Sequence, residues 1–187
     1  MKKAILSSAI LSVLSFGAMA ETPSFNYVDF GYVCDLSSDQ SFDGFDLKGN
    51  FELNDNLYIN AGYRSIDFDI AGFDVNGDVK LIGLGYKKAF SPDSVFYSEL
   101  DYVKAKARAG GLGSGSENGY QVGFGVRSML SSNFEVRAGV NYIDVVDSDT
   151  FMILGGVYSL SDDLGLYFDI ESDFDDSTYS TGVRFSF

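Results

Sequence analysis

The sequence predicts an all-β fold: a single antiparallel up-and-down transmembrane β-barrel of about ten strands, with eight strands as the alternative. Two observations support this fold. Runs of about ten residues with alternating polar and apolar side chains repeat from Phe25 to the end of the chain, and polar turns separate them. After an N-terminal segment that reads as a secretory signal, no stretch approaches the roughly 20 consecutive apolar residues of a membrane helix. A membrane protein of this composition must cross the bilayer as a closed barrel.

The N-terminal segment, residues 1–20, has the features of a cleaved signal peptide. Lys2 and Lys3 precede an apolar run, and a small-x-small motif ends at Ala20. We therefore expect cleavage after Ala20, which leaves residues 21–187 as the barrel domain.

The charge balance limits the partners. The formal net charge is −14, and without Lys2 and Lys3 the chain has 11 basic and 27 acidic side chains, a net charge of −16. Such acidity argues against nucleic acid as a partner and is typical of soluble, hydrated loops. The one cysteine, Cys34, has no partner for an internal disulfide, so sheet closure must hold the fold.

Ten alternating runs are assigned as strands. They lie at 25–34, 44–53, 57–67, 78–88, 95–104, 119–129, 134–144, 150–160, 164–172 and 178–187. The short connections are interpreted as periplasmic turns, and they lie at 54–56, 91–94, 131–133 and 161–163. The longer connections are interpreted as exterior loops, and they lie at 35–43, 68–77, 105–118, 145–149 and 173–177. An even strand count places both termini in the periplasm and pairs the first strand with the last.

Alternation assigns the polar set of each strand to the lumen, except in the eighth strand, which is apolar on both faces and whose parity stays open. The inward charged residues form a predicted network: Asp29, Asp46, Lys48, Glu52, Arg64, Glu99, Asp101, Arg127, Glu135, Arg137, Asp169 and Arg184. Inward glycines such as Gly83, Gly85 and Gly123 are expected to relieve crowding. Ten strands lie near the filled end of the range of barrel widths, although a narrow water path stays open as an alternative.

Three pairings within this network are predicted from the turns and the closure seam. The turn at 54–56 places Asp46 opposite Arg64, which predicts an ion pair. Arg127 and Arg137 are expected to be opposed, so they need carboxylates that Glu99, Asp101 or Glu135 could supply. For Arg184 the candidates are Asp29 across the seam and Asp169 on the preceding strand.

The last strand carries a further signal. Its apolar side chains alternate with small or polar ones and end on an aromatic: Tyr179, Val183, Phe185 and Phe187. This ending resembles the closing strand of Gram-negative outer-membrane β-barrel proteins, in which a terminal Phe is the assembly signal. The resemblance implies location in the cell outer membrane and engagement of the barrel-assembly machinery during insertion.

A basic belt is predicted above the outer membrane interface. Lys104, Lys106 and Arg108 continue the lipid-facing parity of the fifth strand, and the turn at 91–94 places Lys80 across from Lys104. Opposed like charges are unfavourable without an anion, and lipopolysaccharide phosphates lie at that height. The alternative is a solvated belt of snorkelling side chains.

Enzyme, cofactor and metal chemistry have little support. The chain has no histidine, which removes Ser-His-Asp triads and most zinc sites. The segment 67–78 has a faint calcium-loop spacing, but an ordinary acidic hairpin is favoured. No catalytic, cofactor or metal residue is assigned.

The chain as a whole resembles the small Gram-negative outer-membrane β-barrel family, of OmpA-like or porin-like character. We expect a non-enzymatic protein with a structural or surface-interaction role. The alternative is a narrow porin-like channel for ions or small solutes, and the oligomeric state is left open.

Overall fold

A computed structural model describes residues 22–35, 42–70, 73–109, 113–173 and 176–187, without the side chains of Asp69, Ile70 and Phe73. The strands of this part of the chain are β1 (Tyr27–Asp35), β2 (Phe42–Glu52), β3 (Leu57–Ile70), β4 (Phe73–Ser91), β5 (Ser94–Ala109), β6 (Gly113–Ser131), β7 (Phe134–Asp144), β8 (Ser148–Ser159), β9 (Leu164–Ser172) and β10 (Ser177–Ser186). Each pairs antiparallel with its neighbours in the chain, and β1 pairs with β10 to close the barrel. The predicted all-β barrel of ten strands is confirmed, and the eight-strand alternative is excluded.

The two faces of the barrel wall differ in polarity as the alternation predicts. In β5, Leu100 points outward and is 62% exposed, whereas its neighbour Asp101 points into the lumen and is 1% exposed. In the eighth strand, whose parity the sequence left open, Val157 lies inside and Leu154 outside. An apolar outer surface around a polar interior is the reverse of a soluble sandwich and suits a lipid environment.

The two ends of the barrel differ. One end, here called the short-turn end, carries Thr22 and Phe187 and the four tight connections at 53–56, 92–93, 132–133 and 160–163. In the second of these turns, hydrogen bonds from the Ser91 and Ser94 hydroxyls lower the pKa of Asp93. The opposite end is called the loop end.

Strands β3 to β6 extend well past the others at the loop end. β4 and β6 have 19 residues each and β5 has 16, against 9 in β1. The predicted loops at 68–77 and 105–118 are therefore wrong over most of their length. Apolar alternation stops where lipid stops, but backbone pairing continues beyond it, so the sequence criterion ended these strands too early.

Some predicted features lie partly or wholly outside the described residues: the signal peptide at 1–20 and parts of the connections at 35–43, 68–77, 105–118 and 173–177. The segment 67–78, which has a faint calcium-loop spacing, is also described only in part, because Gly72 lies outside the described residues. Asp67, at its start, is on a paired strand and accepts a 2.7 Å hydrogen bond from Asn76, as in an ordinary hairpin. Within the described residues, no helix has the length and apolar character to cross a bilayer.

The closure seam has the expected register. Asp29 of β1 lies opposite Arg184 of β10. Phe187 follows β10, and its N–H donates to the Asn26 carbonyl at 3.2 Å while its ring stacks on Phe51 with centroids 6.5 Å apart. The role of Tyr179, Val183, Phe185 and Phe187 as an assembly signal stays a prediction.

Candidate functional site

The closure seam is held by a buried forked ion pair. Arg184 donates from Nε and Nη2 to the two carboxylate oxygens of Asp29, both at 2.7 Å. Its Nη1 lies 3.8 Å from Glu135, and its guanidinium stacks 3.6 Å from the Tyr27 ring centroid. Of the two predicted partners, Asp29 is therefore the one in contact. Asp169 is not, because it pairs with Arg137 of β7.

A second cluster links β2, β3 and β9. Arg64 lies opposite Asp46 as predicted, with 3.4 Å between Nη2 and Oδ2. Its stronger contact is a fork onto Glu171, at 2.9 and 3.0 Å. Lys48 joins the same carboxylates, at 3.2 Å from Asp46 and 3.3 Å from Glu171, and Tyr167 donates to Asp46 at 2.7 Å.

Arg127 and Arg137 are opposed across β6 and β7, as predicted. Arg127 forms a fork with Glu135 at 2.7 and 2.8 Å. Arg137 forks onto Asp169 of β9, with Nε 2.7 Å from Oδ1. Of the three carboxylates expected to pair with these arginines, Glu135 pairs with Arg127, whereas Glu99 and Asp101 form no ion pair with either one. Asp169 of β9 takes their place at Arg137.

Glu99 and Asp101 instead accept hydrogen bonds from neutral groups. The Tyr58 hydroxyl donates to Glu99 at 2.7 Å. Asn60 and Gln121 donate to the two oxygens of Asp101, at 2.6 and 3.2 Å.

An aromatic plug, formed by Phe25, Tyr58 and Tyr97, packs inside the lumen at the short-turn end. Phe25 was expected to begin the first strand, but β1 begins at Tyr27, and Phe25 turns into the barrel with 1% exposure. Its ring packs against Tyr58 at 4.6 Å and Tyr97 at 6.2 Å between centroids, and the Arg127 guanidinium lies 4.2 Å from it.

Polar contacts fix this plug in place. The Phe25 N–H donates to Glu52 at 2.7 Å, and Lys87 forms a 2.6 Å ion pair with the same carboxylate. The Thr22 hydroxyl reaches across to the Pro92 carbonyl in the β4–β5 turn, at 3.2 Å. The described residues before β1, 22–26, are thereby held against β2 and the β4–β5 turn.

Above the plug lies a cavity of about 370 Å³. Its lining reaches from Phe25 and Tyr97 at the bottom to Asp149 and Asp176 at the loop end. The lumen is therefore filled by side chains at one end and open inside at the other. Within the described residues, no group of three or more His, Cys, Asp or Glu side chains is arranged to hold a metal ion.

On the outer surface, the basic belt has the predicted register. Lys80 lies directly opposite Lys104, and both are exposed. Lys80 also lies 5.3 Å from the Tyr63 ring centroid. Arg108 differs, because its guanidinium forms a 2.8 Å ion pair with Asp78, which lies opposite Lys106.

Sequence reasoning missed several residues of the lumen. Glu171 and Tyr167 share the inward parity of Asp169, so extending the alternation along β9 would have found them. Lys87 has the parity of Gly85 and would have been found in the same way. Phe25 also has the inward parity, but its apolar side chain fits a lipid-facing strand equally well.

The fold and lumen define the class: a membrane-spanning antiparallel barrel with an apolar outer band and a charge-paired interior. More specifically, the chain belongs to the outer membrane protein beta-barrel domain family, which matches residues 6–187. Location as an integral outer-membrane protein follows from that membership. No curated protein sequence matches the chain.

Solved structures of outer-membrane barrels share the fold at low sequence identity. The chain is similar to OprG from Pseudomonas aeruginosa, with 10% identity, a TM-score of 0.50 and coverage of 91% of this chain and 99% of that one. It is also similar to Ail of Yersinia pestis, with 16% identity, a TM-score of 0.49 and coverage of 86% and 97%. The chain is similar to the KdgM porin as well, with 12% identity, a TM-score of 0.49 and coverage of 86% of this chain and 99% of that one.

Proposed function

We propose that this protein is a non-enzymatic surface barrel whose basic belt, centred on Lys80 and Lys104, binds lipopolysaccharide phosphates. In this proposal the loop end faces the exterior, and the short turns and both termini face the periplasm. That orientation agrees with the usual placement of short turns in single-chain barrels. It also puts the extended strands β3 to β6 outside the cell.

The proposal rests on Lys80 and Lys104, which lie directly opposite each other on β4 and β5. Like charges directly across an antiparallel pair are destabilising, so this arrangement needs a compensating anion. The two ammonium groups border a groove on the outer surface that is also lined by Tyr63, Tyr102 and Ile82. Apolar and aromatic side chains below two ammonium groups match a lipid with acyl chains below a phosphate.

The rest of the belt has a different environment. Asp78 receives hydrogen bonds from Tyr63 at 2.7 Å and Ser65 at 3.2 Å, in addition to its ion pair with Arg108. Arg108 also donates to Asn76 at 3.0 Å. Lys106, opposite Asp78, has a carboxylate nearby. The predicted four-residue contact set therefore narrows to Lys80 and Lys104 as the pair that most needs an external anion.

Charge reversal tests the proposal. In Lys80→Glu/Lys104→Glu, we expect lipopolysaccharide affinity to fall at least tenfold, because two charge-assisted phosphate contacts are lost. The matched control is Lys88→Glu, an exposed lysine on the outward face of the same strand but at the short-turn end. The measurement is binding of purified lipopolysaccharide to the folded protein in detergent, with dephosphorylated lipopolysaccharide as a second control. Equal affinity in the wild-type protein and the double variant would remove the proposal.

The alternative of a narrow channel is supported by the 370 Å³ cavity. Against it stands the plug of Phe25, Tyr58 and Tyr97, which fills the lumen at the short-turn end. The plug favours a closed barrel, for which no steady ion current is expected.

A further inference from the structure

Two carboxylates in the middle of the lumen, Glu99 and Asp101, form no ion pair within the described part of the chain. Six other lumen carboxylates each lie within 4.0 Å of a basic nitrogen: Asp29, Asp46, Glu52, Glu135, Asp169 and Glu171. The guanidinium groups of Arg127 and Arg137 line the same cavity and form forked pairs with other carboxylates, and Nη1 of Arg127 has no hydrogen-bond partner among the described residues. A buried carboxylate without an ion pair is costly to ionise, and a cation bound in this part of the lumen would offset that cost.

Glycines on the flanking strands make room for these carboxylates. A Cβ on Gly83 of β4 would lie 2.0 Å from Asp101 Oδ1, and one on Gly123 of β6 would lie 3.5 Å from Glu99 Oε2. In the same way, a Cβ on Gly85 would lie 2.0 Å from the Tyr58 ring, whose hydroxyl donates to Glu99. The two carboxylates therefore extend over neighbouring strands and into the lumen.

An unpartnered amide oxygen lies beside them. Asn60 is only 5% exposed, and its Nδ2 donates to Asp101 at 2.6 Å. Its Oδ1 has no hydrogen-bond partner among the described residues, although buried polar atoms are rarely left unpaired. An amide oxygen can only accept a hydrogen bond or contact a cation. The Asn60 side chain lines the same cavity as the two carboxylates.

The cavity above this group has apolar walls. Val79 and Leu81 of β4 line one side, and Phe151 and Ile153 of β8 line another. Its volume of about 370 Å³ lies within the range of small-molecule sites. The plug closes it at the short-turn end, so a ligand would enter from the loop end, where Asp149 and Asp176 also line it.

We propose that Glu99, Asp101 and the Asn60 amide oxygen bind the ammonium group of a small organic cation, whose apolar part contacts the β4 and β8 walls. An ammonium group offers three donors, which matches these three acceptors. The apolar walls favour an organic cation over a metal ion, because a metal ion would leave them without a contact.

Binding of n-butylammonium chloride to the folded protein in detergent, followed by calorimetry, tests this site. We expect the wild-type protein to bind it, and Glu99→Gln and Asp101→Asn each to weaken binding at least tenfold, because each removes one charge-assisted contact. 1-Butanol, which has the same chain without the charge, should not bind. The control is Asp162→Asn, an exposed acid in the β8–β9 turn, and it should bind as the wild type does.

The outcomes are separable. Absence of butylammonium binding to the wild-type protein, equal binding of 1-butanol, or unchanged affinity in both variants would overturn the proposal. Tighter binding of calcium chloride at the same residues would replace the organic cation with a metal ion and also overturn it. If one variant fails to fold, as judged by its electrophoretic mobility without heating, the other variant and the comparison with 1-butanol still test the proposed site. Loss of lipopolysaccharide binding would not affect this site, because the basic belt lies on the outer surface.

Discussion

Replacing Asp29 with asparagine is expected to destabilise the barrel by about 3 kcal/mol, the lower end of the 3 to 5 kcal/mol that breaking a buried ion pair costs. Asp29 is fully buried, and Arg184 is 4% exposed. The substitution keeps the shape of the side chain but removes the charge that receives two 2.7 Å hydrogen bonds.

The lower end of the range follows from what remains around the guanidinium. Arg184 keeps the Tyr27 ring at 3.6 Å and the Glu135 carboxylate at 3.8 Å. These contacts compensate part of the lost attraction. A double replacement, Asp29→Leu/Arg184→Met, removes both charges and is expected to cost much less than the single one, because apolar isosteres can replace a buried pair with little loss.

Urea unfolding of the protein in lipid vesicles measures these free energies, with tyrosine fluorescence and gel mobility as independent probes. The exposed turn substitution Asp162→Asn serves as the control and should change the free energy of unfolding by less than about 0.5 kcal/mol. A loss below about 1 kcal/mol for Asp29→Asn, or a double variant less stable than the single one, would refute the assigned role of the seam pair.

Further substitutions test other parts of the lumen. Glu171→Gln should destabilise by up to about 3 kcal/mol in the same urea assay, because it leaves Arg64 with Asp46 alone and Lys48 with Asp46 and, at 3.9 Å, Asp169; a change within error would contradict the clustered arrangement. Gly85→Val should hinder folding, as seen by gel mobility, because its Cβ would lie 2.0 Å from the Tyr58 ring; full folding yield would show that the plug tolerates displacement.

The sequence was sufficient where short turns determine the register. A tight turn limits how two strands can pair, so the residue order alone places Asp46 opposite Arg64 and Lys80 opposite Lys104. Lumen contacts between strands that are not neighbours were beyond that reasoning. The pair between Arg137 on β7 and Asp169 on β9 depends on the width and stagger of the closed barrel, which alternation does not specify.

Alternation also failed to predict the strand ends and the aromatic plug, and for the same reason. Apolar alternation reports contact with lipid, so it says nothing about the paired strands above the membrane or about an apolar residue that turns inward. The β3–β6 extension continues with small and polar residues such as Ala107 and Ser116, which resemble a loop in sequence. Phe25 lies at an inward position of the alternation but has an apolar side chain that is typical of outward positions. Only the folded segment before β1 shows that its ring lies in the lumen.

A closed barrel with a surface role and an open pore differ most directly in ion current. Single-channel recording in planar bilayers should show no steady conductance for the wild-type protein, because Phe25 and its neighbours fill the lumen at the short-turn end. Phe25→Ala should destabilise the barrel by about 3 kcal/mol or more and produce measurable current, since it removes the centre of the plug. Stable, reproducible conductance steps from the wild-type protein would contradict the closed barrel and favour the channel.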